Sequence, residues 1–593
     1  FPVGPSIIIA PQEFHSAFQP YADWLTDQGI KTYLITPQTI YWYFSGRDEP
    51  EKIRNYIKYC YERGGTWFIL GGDDYAANNI YFIPVRYCIP LDSVIGNIPE
   101  YDSIPCDMYF SDLTGDWNLD GDDYWGEIKQ DQADRFPEVF VGRITAYNAQ
   151  EVSNWVTKAL HYEKTPGIIF NHVLWIYNSM VGLGDAYTTF PSYFSHIYAY
   201  NWWADEVLYA IDTGYAFFNV HCHGDVGRFR VRHTPDADIE NWWPDPPNHY
   251  KAGLNWLTNK NRYHIGYTIS CYCGAFDRYA RPGTYPYGSD TCIADAFVDA
   301  YLVNAYNQTG PFGTCAYLAN TRDGWMGSSH DLEYEFYLRI FTLWMPSPMP
   351  SLTKIGVAEA LSKCGDRINW DMNRYVCYSH NLFGSPSTEA WTKTPGTFAV
   401  SHPTRISVGQ QIQFTVTVRD ASTGGRLQYA TVCINKPNDI YQVGSTNANG
   451  KVTFTIKPQT PGTMKVTVTR FHNADNNYTQ YRPSQTTCQV GEPEGGGQAL
   501  SSDDLIPTTL CIDEMATVLK NNTVLKFGLP KEDNISLVLY DATGSKVKSL
   551  LEGKYRAGYH KINLPTEQLP AGIYFVVLRQ NNEQVSRKFL LIK

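Results

Sequence analysis

No stretch of the 593 residues approaches the roughly 18 consecutive apolar residues of a membrane-spanning helix. Positive charge is in deficit: 48 Lys and Arg against 60 Asp and Glu give a net charge of −12. That argues against nucleic acid as a partner, because such binding draws on cationic contacts to phosphate. The amino end, Phe1-Pro-Val, lacks the charged and apolar regions of a signal peptide, so any signal or pro-segment is expected to be gone already. The 13 cysteines are an odd number, so an oxidising compartment would leave at least one unpaired, as a reactive thiol requires. Aromatics are abundant, with 44 Tyr and 16 Trp. Buried packing is the usual reason; carbohydrate-facing or assembly surfaces are the alternatives.

A chain this long divides into several cores. Residues 1–150 alternate strand and helix. Ser6 to Pro11, Lys31 to Pro37 and Thr66 to Asp73 read as strands, with helices over Glu13 to Gln28 and Glu49 to Arg63. This is the pattern of a parallel sheet with helices on its faces. Residues 151–395 form a second α/β unit. A helix from Asn148 to about Glu163 leads into it, and a strand at Val173 to Ser179 and a mostly helical Tyr193 to Asp212 follow. Further helices are expected over Ser289 to Val303, Glu333 to Trp344 and Leu352 to Cys364, with a strand at Phe312 to Ala319. From 396 to 490, alternating runs such as Gln413 to Arg419 and Lys451 to Lys457 predict an antiparallel immunoglobulin-like sandwich. A Gly-rich linker over 491–504 precedes a second all-β domain at 505–593.

Two buried-strand runs in the second unit end in reactive groups. Gly214-Tyr-Ala-Phe-Phe-Asn-Val-His-Cys-His-Gly-Asp225 breaks at His223-Gly224, and His264-Ile-Gly-Tyr-Thr-Ile-Ser-Cys-Tyr-Cys-Gly274 breaks after Cys271. Working groups collect at the carboxyl ends of strands in open α/β sheets. An imidazole and a thiol there suffice for a cysteine nucleophile, with His taking the thiol proton. Asp116-Trp-Asn118-Leu-Asp120-Gly121-Asp122-Asp-Tyr124-Trp-Gly-Glu127 matches the Asp-x-Asn-x-Asp-Gly-x5-Glu calcium template at every defined position. Asp116, Asn118, Asp120, Asp122 and Glu127 are the candidate ligands, because oxygens at alternate positions converge on a hard cation and Gly permits the sharp turn. The flanks read as strand and loop, so the helix pair of an EF-hand is not expected. His233 and His249 lack metal-ligand spacing. Trp202-Trp203 and Trp242-Trp243 suit either a substrate cleft or packing.

His223-Gly224 and Ser270-Cys271-x-x-Gly274-x-Phe276 resemble the His-Gly and Ala-Cys-x-x-Gly-x-Phe segments of the gingipain family of cysteine peptidases. Leu70 to Asp73, Val139 to Arg143, His161-Tyr-Glu163, Gly313-Thr314 and Leu382-Phe-Gly-x-Pro-Ser387 follow in the family's order, over about residues 1–395. The resemblance implies a caspase-like α/β catalytic domain of two subdomains, followed by an immunoglobulin-like domain. Its histidine precedes Gly, selecting His223 over His221. Its cysteine lies three before Gly, selecting Cys271 over Cys273. Its oxyanion donors correspond to the backbone amides of Gly224 and Cys271. The family's orienting acid follows the strand at Val173 to Ser179, where this chain has Met180; the nearest carboxylate is Asp185. No counterpart of the acid that sets basic specificity is evident, so Arg or Lys preference is not inherited.

The tail, Leu539-Tyr-Asp-Ala-Thr-Gly-Ser-Lys546 with Leu569 to Phe575, resembles the C-terminal sorting domain of type IX secretion. Together with the acidic loop, which supplies the calcium, these resemblances imply a calcium-stabilised cysteine endopeptidase, secreted or held at the surface of a bacterium with an outer membrane. Its expected partners are protein or peptide substrates and the type IX machinery. Another class also fits: an inactive peptidase-like surface protein with a structural, adhesive or self-assembling role. The missing acid, the Tyr and Trp content and the retained tail favour it.

Overall fold

The computed structural model describes residues 2–74, 82–90, 103–277, 292–341, 353–368, 371–470, 479–491, 510–512, 518–519, 523–564, 566, 569–581 and 583–591. Residues 1–491 form one contact-dense unit and 492–593 another.

The first half builds as its pattern predicts. Strand β1 (Ser6–Ile9) is followed by α1 (His15–Asp27), which stops where Gly29 takes φ +96°. Strand β2 spans Thr32–Ile35. The run expected to remain extended through Pro37 instead starts a helix, α2 (Pro37–Tyr43), because Thr36 caps it by accepting from Thr39 N and Pro37 suits the first turn. Helix α3 (Glu49–Tyr61) and strand β3 (Trp67–Gly71) follow. After the short pair β4 (Tyr87–Cys88) and β5 (Ile104–Pro105) come β6 (Phe140–Ile144) and α4 (Ala149–Lys164), whose first turn Asn148 caps through Gln150 N and Glu151 N.

In the second half, β7 (Ile169–Tyr177) is followed by a strand where the sequence pattern predicts helix. Tyr193 to Asp212 is not one helix. Its first part is strand β8 (Ser195–Tyr200), which adds to β7 in parallel as the sheet edge. Helix α5 (Ala204–Thr213) begins only where Glu206 reaches back to Trp203 N. Strands β9 (Tyr215–His221), β10 (His223–Asp225), β11 (Arg228–His233), β12 (Asp236–Glu240), β13 (Lys251–Gly253) and β14 (Ile265–Thr268) come next. The helix expected over Ser289 to Val303 reduces, within its described part, to one turn, α6 (Ile293–Asp295), and a π turn over Ala296–Ala300. Its carbonyls are drawn elsewhere: Lys158 Nζ and Thr314 N donate to Phe297 O, and Asn154 Nδ2 donates to Asp299 O. Strand β15 (Ala316–Asn320), helices α7 (Met326–Phe341), α8 (Ile355–Ser362) and α9 (Asp371–Ser379), and strand β16 (His380–Phe383) complete the unit. Residues 289–291, 342–344 and 352 of the expected helices lie outside the described residues.

The two halves share one ten-stranded sheet in the order β2-β1-β3-β6-β16-β15-β14-β9-β7-β8. Strand β16, last in the chain, sits between β6 of the first half and β15 of the second, and only its pairing with β15 is antiparallel. Aliphatic and aromatic side chains on both faces of the sheet form its cores beneath the helices. Strands β10 to β13 form a separate four-stranded sheet.

The described residues of 396–491 fold as a sandwich of three and five strands around Phe414, Val416, Ile434 and Val466. Buried Asp27 of α1 ties it on, accepting from Asn435 Nδ2, Lys465 Nζ and Gln485 Nε2 at 2.7, 2.7 and 3.0 Å. The described part of 492–593 is again two sheets, of three and five strands, closed over Leu525, Leu537, Val576 and Phe589. Residues 492–504 of the expected linker lie outside the described residues. Among the described residues no helix is long and apolar enough to cross a membrane.

Candidate active site

Strands β9 and β14 are parallel neighbours, with Val220 opposite Thr268, so both deliver their following residues to the same sheet edge. Past β14 the chain turns sharply. Ser270 N donates to Thr268 Oγ1, and Tyr272 takes φ +58° while its N–H donates to Arg322 O at 2.9 Å. This turn leaves Cys271 partly exposed while Cys273 is fully buried. The Cys271 sulfur accepts from Gly324 N at 3.3 Å and lies 3.8 Å from Gly324 O.

His223 opens β10 as an exposed residue, opposite Arg230 of β11. Its neighbour Gly224 packs hard against the thiol loop. A Cβ there would stand 2.5 Å from Cys271 O and 2.8 Å from both Cys273 Sγ and Ser270 Cβ, so only glycine fits. The structure thus brings the His223-Gly224 strand end onto the Cys271 loop.

The neighbouring candidates separate physically. His221 is fully buried and its Nε2 lies 2.9 Å from Glu333 Oε1 of α7, away from solvent. Burial raises the Cys222 thiol pKa and raises that of Cys273 well above the usual thiol range, the latter with help from Cys271, Asp225 and Cys222. Both are therefore poor thiolates at neutral pH. Partial desolvation of its ring by the surrounding protein, then His233 and Arg230, hold the His223 imidazole below its ordinary 6.5.

Asp185 is not brought to His223. Both of its oxygens accept from Arg367 Nη1 at 3.0 Å, and Asp331 lies 3.6 Å from the same nitrogen. Met180 is half-exposed. Among the described residues no carboxylate hydrogen-bonds the His223 ring. The sequence reading also missed Gly324 and the buried Arg322, whose guanidinium grips Asp277 through two bonds of 3.0 and 2.7 Å. Their one signal was a glycine turn, Thr321-Arg-Asp-Gly324, at the carboxyl end of β15.

In the acidic loop, Gly121 makes the turn at φ +78°, and carboxylate oxygens of Asp120, Asp122 and Glu127 lie within 4.8 Å of one another. Asn118 Nδ2 donates to the carbonyls of Asp122 and Tyr124 at 2.8 and 2.9 Å, leaving Asn118 Oδ1 buried without a partner, as is Glu127 Oε2. Asp116 is outside the three-carboxylate cluster, and its Oδ1 accepts from Asn118 N. Burial and the carboxylates of Asp122, Asp131 and Asp120 raise the pKa of Glu127. Two orphaned buried oxygens beside converging carboxylates fit a hard cation.

Comparison with known proteins gives matches over most of the chain. Residues 4–391 match the model for peptidase family C25, and 520–593 match that for a secretion system C-terminal sorting domain. Lys-gingipain W83 of Porphyromonas gingivalis is 22% identical over 430 residues, covering 65% of this chain and 20% of that protein. The chain therefore spans about a fifth of the length of this curated relative. Among solved structures, the complex of Porphyromonas gingivalis RgpB pro- and mature domains aligns with TM-score 0.58 and 18% identity, over 82% of this chain and 100% of that one. The Arg-specific cysteine proteinase gingipain R aligns with TM-score 0.56 and 17% identity, over 82% and 98%.

Proposed function

Because the chain belongs to peptidase family C25, we propose that it hydrolyses peptide bonds as a cysteine endopeptidase with Cys271 as nucleophile and His223 as general base. It carries a type IX sorting domain and is secreted or displayed at the cell surface. The observation that carries the catalytic reading is the seating of Gly224 on the Cys271 carbonyl. In the proposed reaction His223 takes the thiol proton, and the thiolate adds to the scissile carbonyl carbon. The amides of Gly224 and Cys271 hold the oxyanion. The intermediate collapses, His223 returns its proton to the departing amine, and a thioester remains. Water, deprotonated by His223, then releases the acid and restores the thiol.

The environment of His223 sets a pH expectation. A base must be unprotonated to act, and partial desolvation with two neighbouring basic groups disfavours the imidazolium. The acid limb of kcat/KM is expected below pH 6.5. Arg230→Gln, which removes one of those charges, should move the limb upward; a limb that stays put would assign it to another group.

We also propose calcium at the Asp120, Asp122 and Glu127 cluster, with Asn118 Oδ1 as a further ligand. It would neutralise the crowded carboxylates and brace the loop; it would take no part in bond cleavage. A ligand at about 100 times its Kd stabilises a fold by about 2.7 kcal/mol. EDTA should therefore lower the melting temperature measurably, and Glu127→Gln should abolish that sensitivity. Identical melting with EDTA or calcium would contradict the site.

One observation favours a second reading. With no carboxylate on the His223 ring among the described residues, its tautomer and orientation are less fixed than in a triad. An inactive, surface-displayed relative of the peptidases fits that feature, and would show no turnover together with an ordinary Cys271 thiol.

A further inference from the structure

Cys271 meets a second loop besides the one bearing His223: residues 321–325, after β15. Gly324 N donates to the sulfur at 3.3 Å, while the Gly324 carbonyl stands 3.8 Å from it. The two contacts serve different protonation states. A neutral thiol can donate weakly to the carbonyl, whereas a thiolate can only accept, and the amide is the closer group. Hydrogen bonding to the charged form lowers a pKa.

The position of that amide is held tightly. A Cβ on residue 324 would fall 2.0 Å from Ile269 O, so the loop can approach the nucleophile this closely only with glycine. Two residues earlier, Arg322 is buried and makes its two-bond grip on Asp277, six residues beyond Cys271. Its Nε donates to Ser103 O at 2.9 Å, and its carbonyl accepts from Tyr272 N at 2.9 Å. Tyr87 also donates to Asp277 Oδ2, at 3.3 Å. One ion pair thus ties the loop carrying the sulfur to the loop carrying its amide donor.

We propose that the Gly324 amide stabilises the Cys271 thiolate, and that Arg322 and Asp277 are positioning residues that hold amide and sulfur in register. This rests on the reading of Cys271 as nucleophile. It adds a donor that serves the sulfur, separate from the amides assigned to the oxyanion. Among the described residues, other titratable groups near this loop are Cys273, which interacts with Cys271, Asp225 and Cys222, His223 and Asp225 on either side of the Gly224 that seats on the Cys271 carbonyl, and Asp323 beside Gly324 in the chain. A shift caused by this pair must therefore appear with all of those left intact.

The test is the pH dependence of iodoacetamide alkylation at Cys271 in the full chain. It is read by peptide mapping with the partly exposed Cys511 of the C-terminal unit as internal reference, and melting temperatures report the fold. Asp277→Asn and Arg322→Lys keep the size of the groups but break the charged fork. In each, the apparent pKa of Cys271 should rise by about one unit, slowing alkylation at pH 6 by about tenfold. The rate at Cys511 should not change, and kcat should fall more than KM rises. Gly324→Ala keeps the ion pair and displaces the amide, so it should give the same shift even if the buried-pair variants fail to fold. A depressed wild-type pKa left unchanged in the folded variants, with only the melting temperature lowered, overturns the inference alone. A wild-type Cys271 that titrates near about 8.5, as free thiols do, overturns the nucleophile reading and this inference with it.

Discussion

Replacing Cys271 with alanine is expected to lower peptide hydrolysis by about four to six orders of magnitude, the loss seen when a covalent nucleophile is removed. Cys273→Ala, two residues away, should retain activity within a few-fold. The contrast follows from placement. Cys271 is partly exposed beside the Gly224 strand end, and its sulfur receives an amide hydrogen bond. Cys273 is fully buried, and burial holds its thiol protonated. Truncating such a buried thiol removes one packed atom and should cost about 1–2 kcal/mol of stability. Steady-state hydrolysis of a mixed peptide library, with folding checked by circular dichroism, separates the two. Equal loss in both variants would mean that the loop, rather than one thiol, is required.

The second large effect is on stability. Arg143 of β6 is fully buried, with Nε and Nη2 on the two oxygens of Asp107 at 2.8 and 2.7 Å. Its Nη1 donates to the carbonyls of Gly72 and Ile83, and its guanidinium lies 4.7 Å from the centre of the Phe276 ring. One side chain thus joins β6, the segment after β3 and the nucleophile loop. Arg143→Met leaves the Asp107 carboxylate buried without its charge partner and strips two carbonyls of their donor. Breaking a buried pair in this way costs about 3–5 kcal/mol, a large share of a typical domain's 5–15 kcal/mol. Urea unfolding should show the drop in midpoint. Adding Asp107→Leu should recover part of it, because the stranded charge is then gone. An unfolding free energy within about 0.5 kcal/mol of wild type, the range of ordinary surface changes, would mean that the pair is solvated.

The placement of the two candidate residues at neighbouring strand ends was legible in the sequence because its signals are local. Each buried run ends abruptly at a glycine, and the parallel pairing of β9 with β14 then puts His223 and Cys271 at one edge. The β-sandwich after residue 396 was legible for the same reason, since alternation along Gln413 to Arg419 reports one buried face directly. Features set by distant partners were not. Asp185 is nearest in sequence to the place where an orienting acid belongs, but Arg367, far along the chain, claims it. Strand β16 gives no hint in its four residues that it will join two halves into one sheet. Ser195 to Tyr200 was read as helix because an edge strand exposed on much of its surface shows little period-two contrast. Gly324 was invisible because nothing in a short turn announces the sulfur it will touch.

The most direct test of the account is active-site labelling of the native protein with a peptidyl acyloxymethyl ketone, under reducing conditions with calcium present. The labelled residue is located by mass spectrometry. A single adduct on Cys271 that disappears in His223→Ala is the expected result. No adduct, or one that persists at Cys271 without the imidazole, would contradict it.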